Sequence, residues 1–215
     1  TDLVLGSSDQ GTSGAPVVFQ GPTNGGTAVL NRNDNSSTAN VIDASASYLT
    51  LADLSLTGGY EGLNILGGPT GLQMLNSNIY ANAANGVNAA ATPAAVVGLY
   101  IAGSQIDNNG GNGLLINFNG GGTSYSATLV NDQVFGNALY GLDTNAPNVT
   151  VQGGLYYSNQ NGIYVSSATD LVTGAAIYGN SQIGLSVYYG QASHNTVYSN
   201  GGDGIDAYSG AVISS

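Results

Sequence analysis

Apolar and polar residues alternate over short stretches along most of the chain, and this period of two indicates β-strands. After a recurring glycine, residues two positions apart are mostly apolar, as in Leu63 and Ile65 or Leu114 and Ile116. The residues between such pairs are mostly polar, and they are Asn64, Asn88, Leu115, Asp143, Tyr164, Ser186 and Asp206. The pattern predicts strands with one face in a core and the other in solvent.

A repeated unit carries these strands: an apolar residue, an asparagine three positions later, a glycine seven later, then another apolar residue. It is clear in "IYANAANGV" from Ile79 and in "IYGNSQIGL" from Ile177, whereas in "LYYSNQNGI" Ser158 takes the asparagine position. The glycines of the unit are Gly62, Gly86, Gly113, Gly141, Gly162, Gly184 and Gly204. Their spacing, from 20 residues (184 to 204) to 28 (113 to 141), is that of one solenoid coil.

The repeat predicts an all-β fold, a right-handed, single-stranded parallel β-helix of roughly nine coils in which equivalent residues stack in columns. The asparagines predict an inward ladder of side-chain amides, and the glycines predict corners where a side chain would clash. The ladder residues are Asn82, Asn109, Asn137, Asn180 and Asn200, with Gly86, Gly113, Gly141, Gly162, Gly184 and Gly204 beside them. We expect one domain over residues 1–215, with amino-terminal coils in 1–45 and marked repeats in 46–215, the last incomplete. Loops are expected within 88–98 and 117–127.

Two stretches, "HNTVYSNGGDGIDA" from His194 and "YYSNQNGIYVSSATD" from Tyr156, resemble the repeat of right-handed parallel β-helix proteins of the pectate-lyase-like type. The resemblance covers about residues 45 to 215 and is closest to modules of large secreted bacterial surface proteins. It implies a solenoid. It does not imply one activity, because the fold is shared by lyases, polygalacturonases, epimerases, tailspikes and adhesins.

The charge of the chain reduces the number of functions that are compatible with it. The chain has 12 acidic residues, one basic residue (Arg32), no cysteine and a net charge of -11. Such a surface cannot neutralise phosphates, so nucleic acid is excluded as a partner, and an acidic polysaccharide would be repelled unless metal ions bridged it. No apolar run is long enough for membrane insertion. Composition and resemblance together predict an extracellular or cell-surface location.

The same scarcity of basic residues predicts that the chain is not an enzyme and has no catalytic residue. Lyase chemistry of this fold needs a basic residue beside carboxylates that hold calcium, and Arg32 lies outside the repeats. Asp143 and Asp206 share a predicted column but lie three coils apart, farther than a glycosidase pair. His194 stands alone at the start of a strand.

Two kinds of binding site are expected. The residues after the apolar marker form a predicted aromatic column of Tyr80, Phe135, Tyr156, Tyr178 and Tyr198, interrupted by Asp107. The column either presents rings to a glycan or stabilises neighbouring coils by stacking. Tyr157, Tyr164, Tyr188, Tyr189 and Tyr208 add aromatic surface nearby. Calcium is the candidate metal, at Asp203 and Asp206 in "SNGGDGIDA", and no other cofactor is expected.

The function predicted first is a non-catalytic structural module of an extracellular surface protein, fibre or filament. Neither end shows a capping element, so the coils are expected to stack head to tail on other copies or on adjacent modules. The alternative is an adhesin module that binds carbohydrate or calcium. A polysaccharide lyase or hydrolase is the third interpretation.

Overall fold

The computed structural model describes residues 2–22, 28–89, 96–118, 125–208 and 210–215, so the centres of both expected loops, 90–95 and 119–124, lie outside it. The described chain forms short strands and one 3-10 helix, Ser7–Asp9. No helix in these ranges is long and apolar enough to cross a membrane. The strands are β1 (Leu3–Leu5), β2 (Val17–Gln20), β3 (Ala28–Asn31), β4 (Ile42–Ala44), β5 (Leu49–Ala52), β6 (Leu54–Thr57), β7 (Leu63–Ile65), β8 (Gln73–Leu75), β9 (Asn78–Tyr80), β10 (Val87–Asn88), β11 (Leu99–Ala102), β12 (Gln105–Asp107), β13 (Leu114–Ile116), β14 (Ala127–Val130), β15 (Gln133–Phe135), β16 (Tyr140–Thr144), β17 (Val149–Gln152), β18 (Leu155–Tyr157), β19 (Asn161–Val165), β20 (Leu171–Thr173), β21 (Ala176–Tyr178), β22 (Leu185–Val187), β23 (Gln191–Ser193), β24 (Thr196–Tyr198), β25 (Ile205–Ala207) and β26 (Val212–Ser214).

These strands form three parallel sheets. Sheet 1 has the order β1-β4-β7-β10-β13-β16-β19-β22-β25, sheet 2 the order β2-β5-β8-β11-β14-β17-β20-β23-β26, and sheet 3 the order β3-β6-β9-β12-β15-β18-β21-β24. Each turn therefore passes from sheet 2 to sheet 3 to sheet 1. The predicted all-β parallel β-helix is confirmed, with about eight turns where roughly nine coils were expected.

The core is the lumen between the three sheets. Alternate residues of each strand turn inward, and Ile79, Ile106, Val134 and Ile177 belong to one inward column and have no exposed surface. Each coil covers the apolar side chains of the coil below it, so burial continues from coil to coil until the last one, where Ile205 and Ile213 are 43% and 42% exposed. This arrangement explains why the period-two pattern is repeated so regularly.

The corners are made by residues with left-handed backbone conformation. Each strand of sheet 2 from β5 to β23 is followed by one such residue, and these are Asp53, Asn76, Gly103, Asn131, Gly153, Gly174 and His194. Sheet 3 repeats the arrangement after β6 to β24 with Gly58, Ala81, Asn108, Gly136, Ser158, Gly179 and Ser199. Glycine adopts this conformation freely, and Asn, Asp and His are enriched in it. His194 is thus an exposed corner residue.

The asparagines form a buried ladder between sheets 3 and 1. The Nδ2 atom of each donates to the Oδ1 atom of the next, at 3.0 Å from Asn82 to Asn109 and 2.9 Å from Asn180 to Asn200. The prediction that Ser158 fills one position is wrong, because Asn159 occupies it and bonds to Asn137 and Asn180. This coil has one residue fewer between its asparagine and Gly162, and that deletion shifted the alignment.

A second ladder, which the sequence pattern did not predict, precedes sheet 1. The side-chain oxygen of Asn40 accepts the backbone N–H of Glu61, Glu61 accepts that of Asn85, Asn85 that of Asn112, and Asn112 that of Tyr140. These positions were hidden because Asn, Glu and Tyr share no simple sequence signature. The two ladders together satisfy turn backbone groups that the lumen would otherwise leave without partners.

Candidate functional site

The aromatic column lies on the outer edge of sheet 3. Strand register places Tyr80, Asp107, Phe135, Tyr157, Tyr178 and Tyr198 in one column. The prediction that Tyr156 belongs to it is wrong. Tyr156 is 1% exposed inside the lumen, in the column of Val134 and Ile177, and Tyr157 takes the outer position. The one-residue deletion in this coil moved the predicted position from Tyr157 to its neighbour.

The rings of this column stack face to face. The centroid separations are 4.8 Å for Phe135–Tyr157, 5.1 Å for Tyr157–Tyr178 and 5.0 Å for Tyr178–Tyr198, with interplanar angles of 8°, 2° and 10°. Both faces of Tyr157 and Tyr178 are therefore covered by neighbouring rings. Because a sugar ring packs on the face of an aromatic ring, this geometry favours the stabilising role over the glycan-binding one.

A second set of tyrosines lies on the outer face of sheet 1 and the turn that follows it. Register places Asp143, Tyr164, Ser186 and Asp206 in one outward column. Two residues further along the chain, Tyr188 and Tyr208 form a parallel column. We call this region the tyrosine–aspartate surface, and its residues are Tyr140, Asp143, Tyr164, Tyr188, Tyr189, Asp206 and Tyr208.

The rings of the tyrosine–aspartate surface are not stacked flat. Tyr188 meets Tyr189 at 74° and Tyr208 at 31°, both with centroids 4.9 Å apart. Tyr140 and Tyr164 meet at 61° with centroids 6.1 Å apart. Tyr188, Tyr189 and Tyr208 are 37%, 46% and 47% exposed. A large part of each of these three rings is therefore exposed to solvent, whereas Tyr157 and Tyr178 of sheet 3 have a ring on each face.

Carboxylates lie among these rings. The Tyr208 hydroxyl donates to Asp206 Oδ2 at 2.7 Å, and this bond raises the pKa of Tyr208. Partial burial raises the pKa of Asp143, and the pKa of Tyr140 is raised by burial and then by Asp143 and Tyr164. Asp143 and Asp206 are three strand spacings apart, roughly 14 Å. They are therefore not the close pair that glycosidases use.

Arg32 lies in the amino-terminal coils, away from this surface. Its Nε atom lies 2.9 Å from Asp2 Oδ1, and its NH2 atom lies 3.5 Å from Asp34 Oδ2. Since Arg32 is the one Arg or Lys of the chain, no such side chain compensates the carboxylates of the tyrosine–aspartate surface.

The described residues contain no group of three or more His, Cys, Asp or Glu that could hold a metal ion. Asp203 is exposed on the turn before β25, and Asp206 Oδ2 is engaged by Tyr208. Calcium binding at Asp203 and Asp206 stays a prediction.

Besides Asp107 of the sheet 3 column, three carboxyl groups are buried, those of Glu61, Asp132 and Asp170, and they serve the fold. Glu61 accepts from the backbone of Asn85 at 2.7 Å within the second ladder, and burial raises its pKa. Asp170 accepts backbone N–H groups of Val149 and Ser167 at the corner before sheet 2, and burial raises its pKa to about 6. None of these groups faces a ligand that approaches from solvent.

Asp132 is the most unusual of them. It is 1% exposed, its Oδ1 atom accepts the backbone N–H of Ser104 at 2.8 Å, and its Oδ2 atom has no hydrogen-bond partner. Burial raises the pKa of Asp132 to about 7 from an ordinary 3.8. A folded-state pKa above the unfolded value means that this group's contribution to stability is complete below about pH 4 and is lost as the pH rises to about 7.

We therefore expect Asp132→Asn to stabilise the protein above pH 7 and to have little effect at pH 4. The gain in the free energy of unfolding should be about 1 to 2 kcal/mol. The substitution removes the cost of burying a charged carboxylate, but it places the Nδ2 donor of the asparagine where Oδ2 has no partner, and that unpaired donor cancels part of the gain. Melting temperatures of both proteins between pH 4 and pH 9 measure it. The exposed Asp203→Asn is the matched control. If the melting temperatures of wild type and Asp132→Asn changed with pH in the same way, the raised pKa of Asp132 would be contradicted.

No family model matches the sequence, and a search of curated proteins finds no match. Two solved structures share the architecture. The crystal structure of pectate lyase Pel9A superposes with a TM-score of 0.71 over 92% of this chain and 57% of its own, at 14% identity. The chain has the parallel β-helix fold. The A-module of mannuronan C-5 epimerase AlgE6 from Azotobacter vinelandii superposes with a TM-score of 0.51, at 15% identity, over 83% of this chain and 60% of its own.

This parallel β-helix chain spans less than two thirds of either neighbour, and the low identity shows the fold alone. The neighbours nevertheless correct one expectation. The prediction that the chain is not an enzyme is contradicted, because both neighbours are enzymes that act on polysaccharides with this same fold.

Proposed function

We propose that the protein is an extracellular polysaccharide-interacting β-helix that holds a glycan chain on the tyrosine–aspartate surface. The observation that carries the proposal is the exposure of the Tyr188, Tyr189 and Tyr208 rings beside the carboxylate of Asp206. Aromatic faces contact the apolar faces of sugar rings, and carboxylates accept hydrogen bonds from sugar hydroxyls. The two fold neighbours, whose names refer to polysaccharides, agree with this class of ligand.

The tyrosine–aspartate surface extends along the solenoid axis, which suits a linear polymer. Tyr188 and Tyr208 lie one coil apart, and Asp143, Tyr164, Ser186 and Asp206 follow one another every ~4.8 Å along the solenoid axis. A chain that lies parallel to the axis would meet a polar or aromatic side chain at each of these coils. Each contact is weak, and binding would come from their sum.

We expect Tyr189→Ala to weaken polysaccharide binding about tenfold, since a half-exposed aromatic platform contributes about 1 to 2 kcal/mol. The measurement is affinity electrophoresis and calorimetry against a panel of neutral, acidic and amino-sugar polysaccharides. Tyr178→Ala is the matched control, because both faces of Tyr178 are covered by the stacked rings of Tyr157 and Tyr198. Absence of binding to every polymer, or equal loss in both variants, would contradict the proposal.

Chemical change of the bound chain is the second candidate, and the raised pKa of Asp143 favours it. A carboxyl group whose pKa lies above its ordinary value is a better general acid than a fully solvated one. Analysis of the incubated polysaccharides for new chain ends would detect it.

Head-to-tail assembly into a filament stays a prediction, which electron microscopy checks.

A further inference from the structure

The charge around the tyrosine–aspartate surface is of one sign. Asp143, Asp203 and Asp206 are the charged side chains on it or on the adjoining turn, and the chain as a whole carries a net charge of -11. The one Arg or Lys is already paired with Asp2 and Asp34 in other coils. The surface therefore has a negative potential that no Lys or Arg side chain offsets.

The aromatic groups of this surface also favour a cationic ligand. The face of a tyrosine ring attracts a cation, and the attraction is strongest where the site is partly desolvated. Tyr208 is joined to Asp206 by its hydroxyl, so an ammonium group at this ring would meet both a π face and a carboxylate. Asp143 offers the same combination, with the Tyr164 ring in the next strand and Tyr140 three residues earlier on the same strand.

Anionic and neutral polymers fit less well. A polyuronate would place further carboxylates against Asp143, whose own charged form is already disfavoured by burial. A neutral polymer would leave both carboxylates without a counter-charge. An ammonium group would form charge-assisted hydrogen bonds with them, which are about twice as strong as neutral ones.

We propose that the polysaccharide held on the tyrosine–aspartate surface is an amino-sugar polymer with free, unacylated amines, bound through Asp143, Asp206 and the exposed tyrosine faces. This inference rests on the proposed function and names its ligand class. Repeated amines along the polymer would meet the two carboxylates and the tyrosine faces that the successive coils present.

The probes are chitosan oligomers and the fully N-acetylated oligomers of the same length, compared by calorimetry at a pH where the chitosan amines are protonated. We expect chitosan to bind at least about tenfold more tightly, with an affinity that falls as salt is added. The double variant Asp143→Asn and Asp206→Asn should lose about tenfold in chitosan affinity and leave binding of the acetylated oligomer unchanged.

The control is Asp9→Asn with Asp53→Asn, which removes the same charge away from this surface. Equal loss in both double variants would show non-specific attraction and would overturn the inference. Equal binding of the two oligomers, or tighter binding of the acetylated one, would also overturn it while the proposed function stands. Failure of every polymer in the wider panel would instead remove the proposed function itself.

Discussion

Replacing Gly113 with alanine is expected to lower the free energy of unfolding by about 3 kcal/mol, since it forces a side chain into a filled corner. A methyl group at Gly113 would lie 2.5 Å from Val134 Cγ1, 2.8 Å from the carbonyl oxygen of Gly141 and 2.9 Å from Asn137 Nδ2. Two of these three atoms belong to the backbone and the asparagine ladder, which cannot move without breaking other bonds.

The matched control is Gly204→Ala. Gly204 holds the same position in the repeat, but the nearest atom to its added methyl group is Val197 Cγ1 at 3.8 Å, an ordinary contact. Urea unfolding followed by circular dichroism compares the two variants in the 215-residue chain. A Gly113→Ala protein as stable as Gly204→Ala would show that the corner relaxes and that the repeated glycine is not required by packing.

Removing the amide of Asn137 should be at least as costly, at about 3 to 5 kcal/mol. Its Oδ1 atom accepts from the backbone N–H and Nδ2 of Asn109, and its own Nδ2 donates to Asn159 Oδ1 and to the carbonyl of Ile106. Asn137→Ala removes these four bonds, although Asn109 Nδ2 keeps the carbonyl of Ile79 and Asn159 Oδ1 keeps the backbone N–H of residue 137. A buried donor or acceptor that loses its partner costs about 1 to 3 kcal/mol, and relaxation recovers part of the sum.

Asn137→Ala is measured by thermal and urea unfolding against Gln152→Ala, an exposed position on sheet 2 where we expect a change within about 0.5 kcal/mol. Asn137→Asp is an informative second variant, because it keeps the acceptor and loses the donor. We expect it to be less damaging at low pH, where the carboxyl group is protonated, than at pH 7. Equal stability of Asn137→Ala and Gln152→Ala would contradict a structural role for the ladder.

The two sets of tyrosines show how far residue type alone predicts a site. The first was visible in the sequence as an aromatic column that returns once per coil, and the second only as further tyrosines nearby. Their chemical difference lies in ring orientation: interplanar angles of 2° to 10° stack the rings of sheet 3 face to face, whereas the rings around Tyr188 meet at 31° and 74°. Orientation depends on how a side chain packs against its neighbours one coil away, which the order of residues does not specify.

The repeat in the sequence determined the architecture. Period-two alternation, a glycine every 20 to 28 residues (184 to 204, 113 to 141) and an asparagine before it are local features, and in a solenoid every coil meets its neighbour in the same way. The tertiary structure alone decided three other matters. Tyr156 lies in the lumen and Tyr157 faces outward, because successive side chains of a strand point to opposite faces, and the shorter spacing from Asn159 to Gly162 concealed this register in the sequence. Asn40, Glu61, Asn85 and Asn112 became a ladder only when coils of different length were brought into register. Asp132 acquired its raised pKa because burial disfavours a charge, and burial depends on all the coils around it.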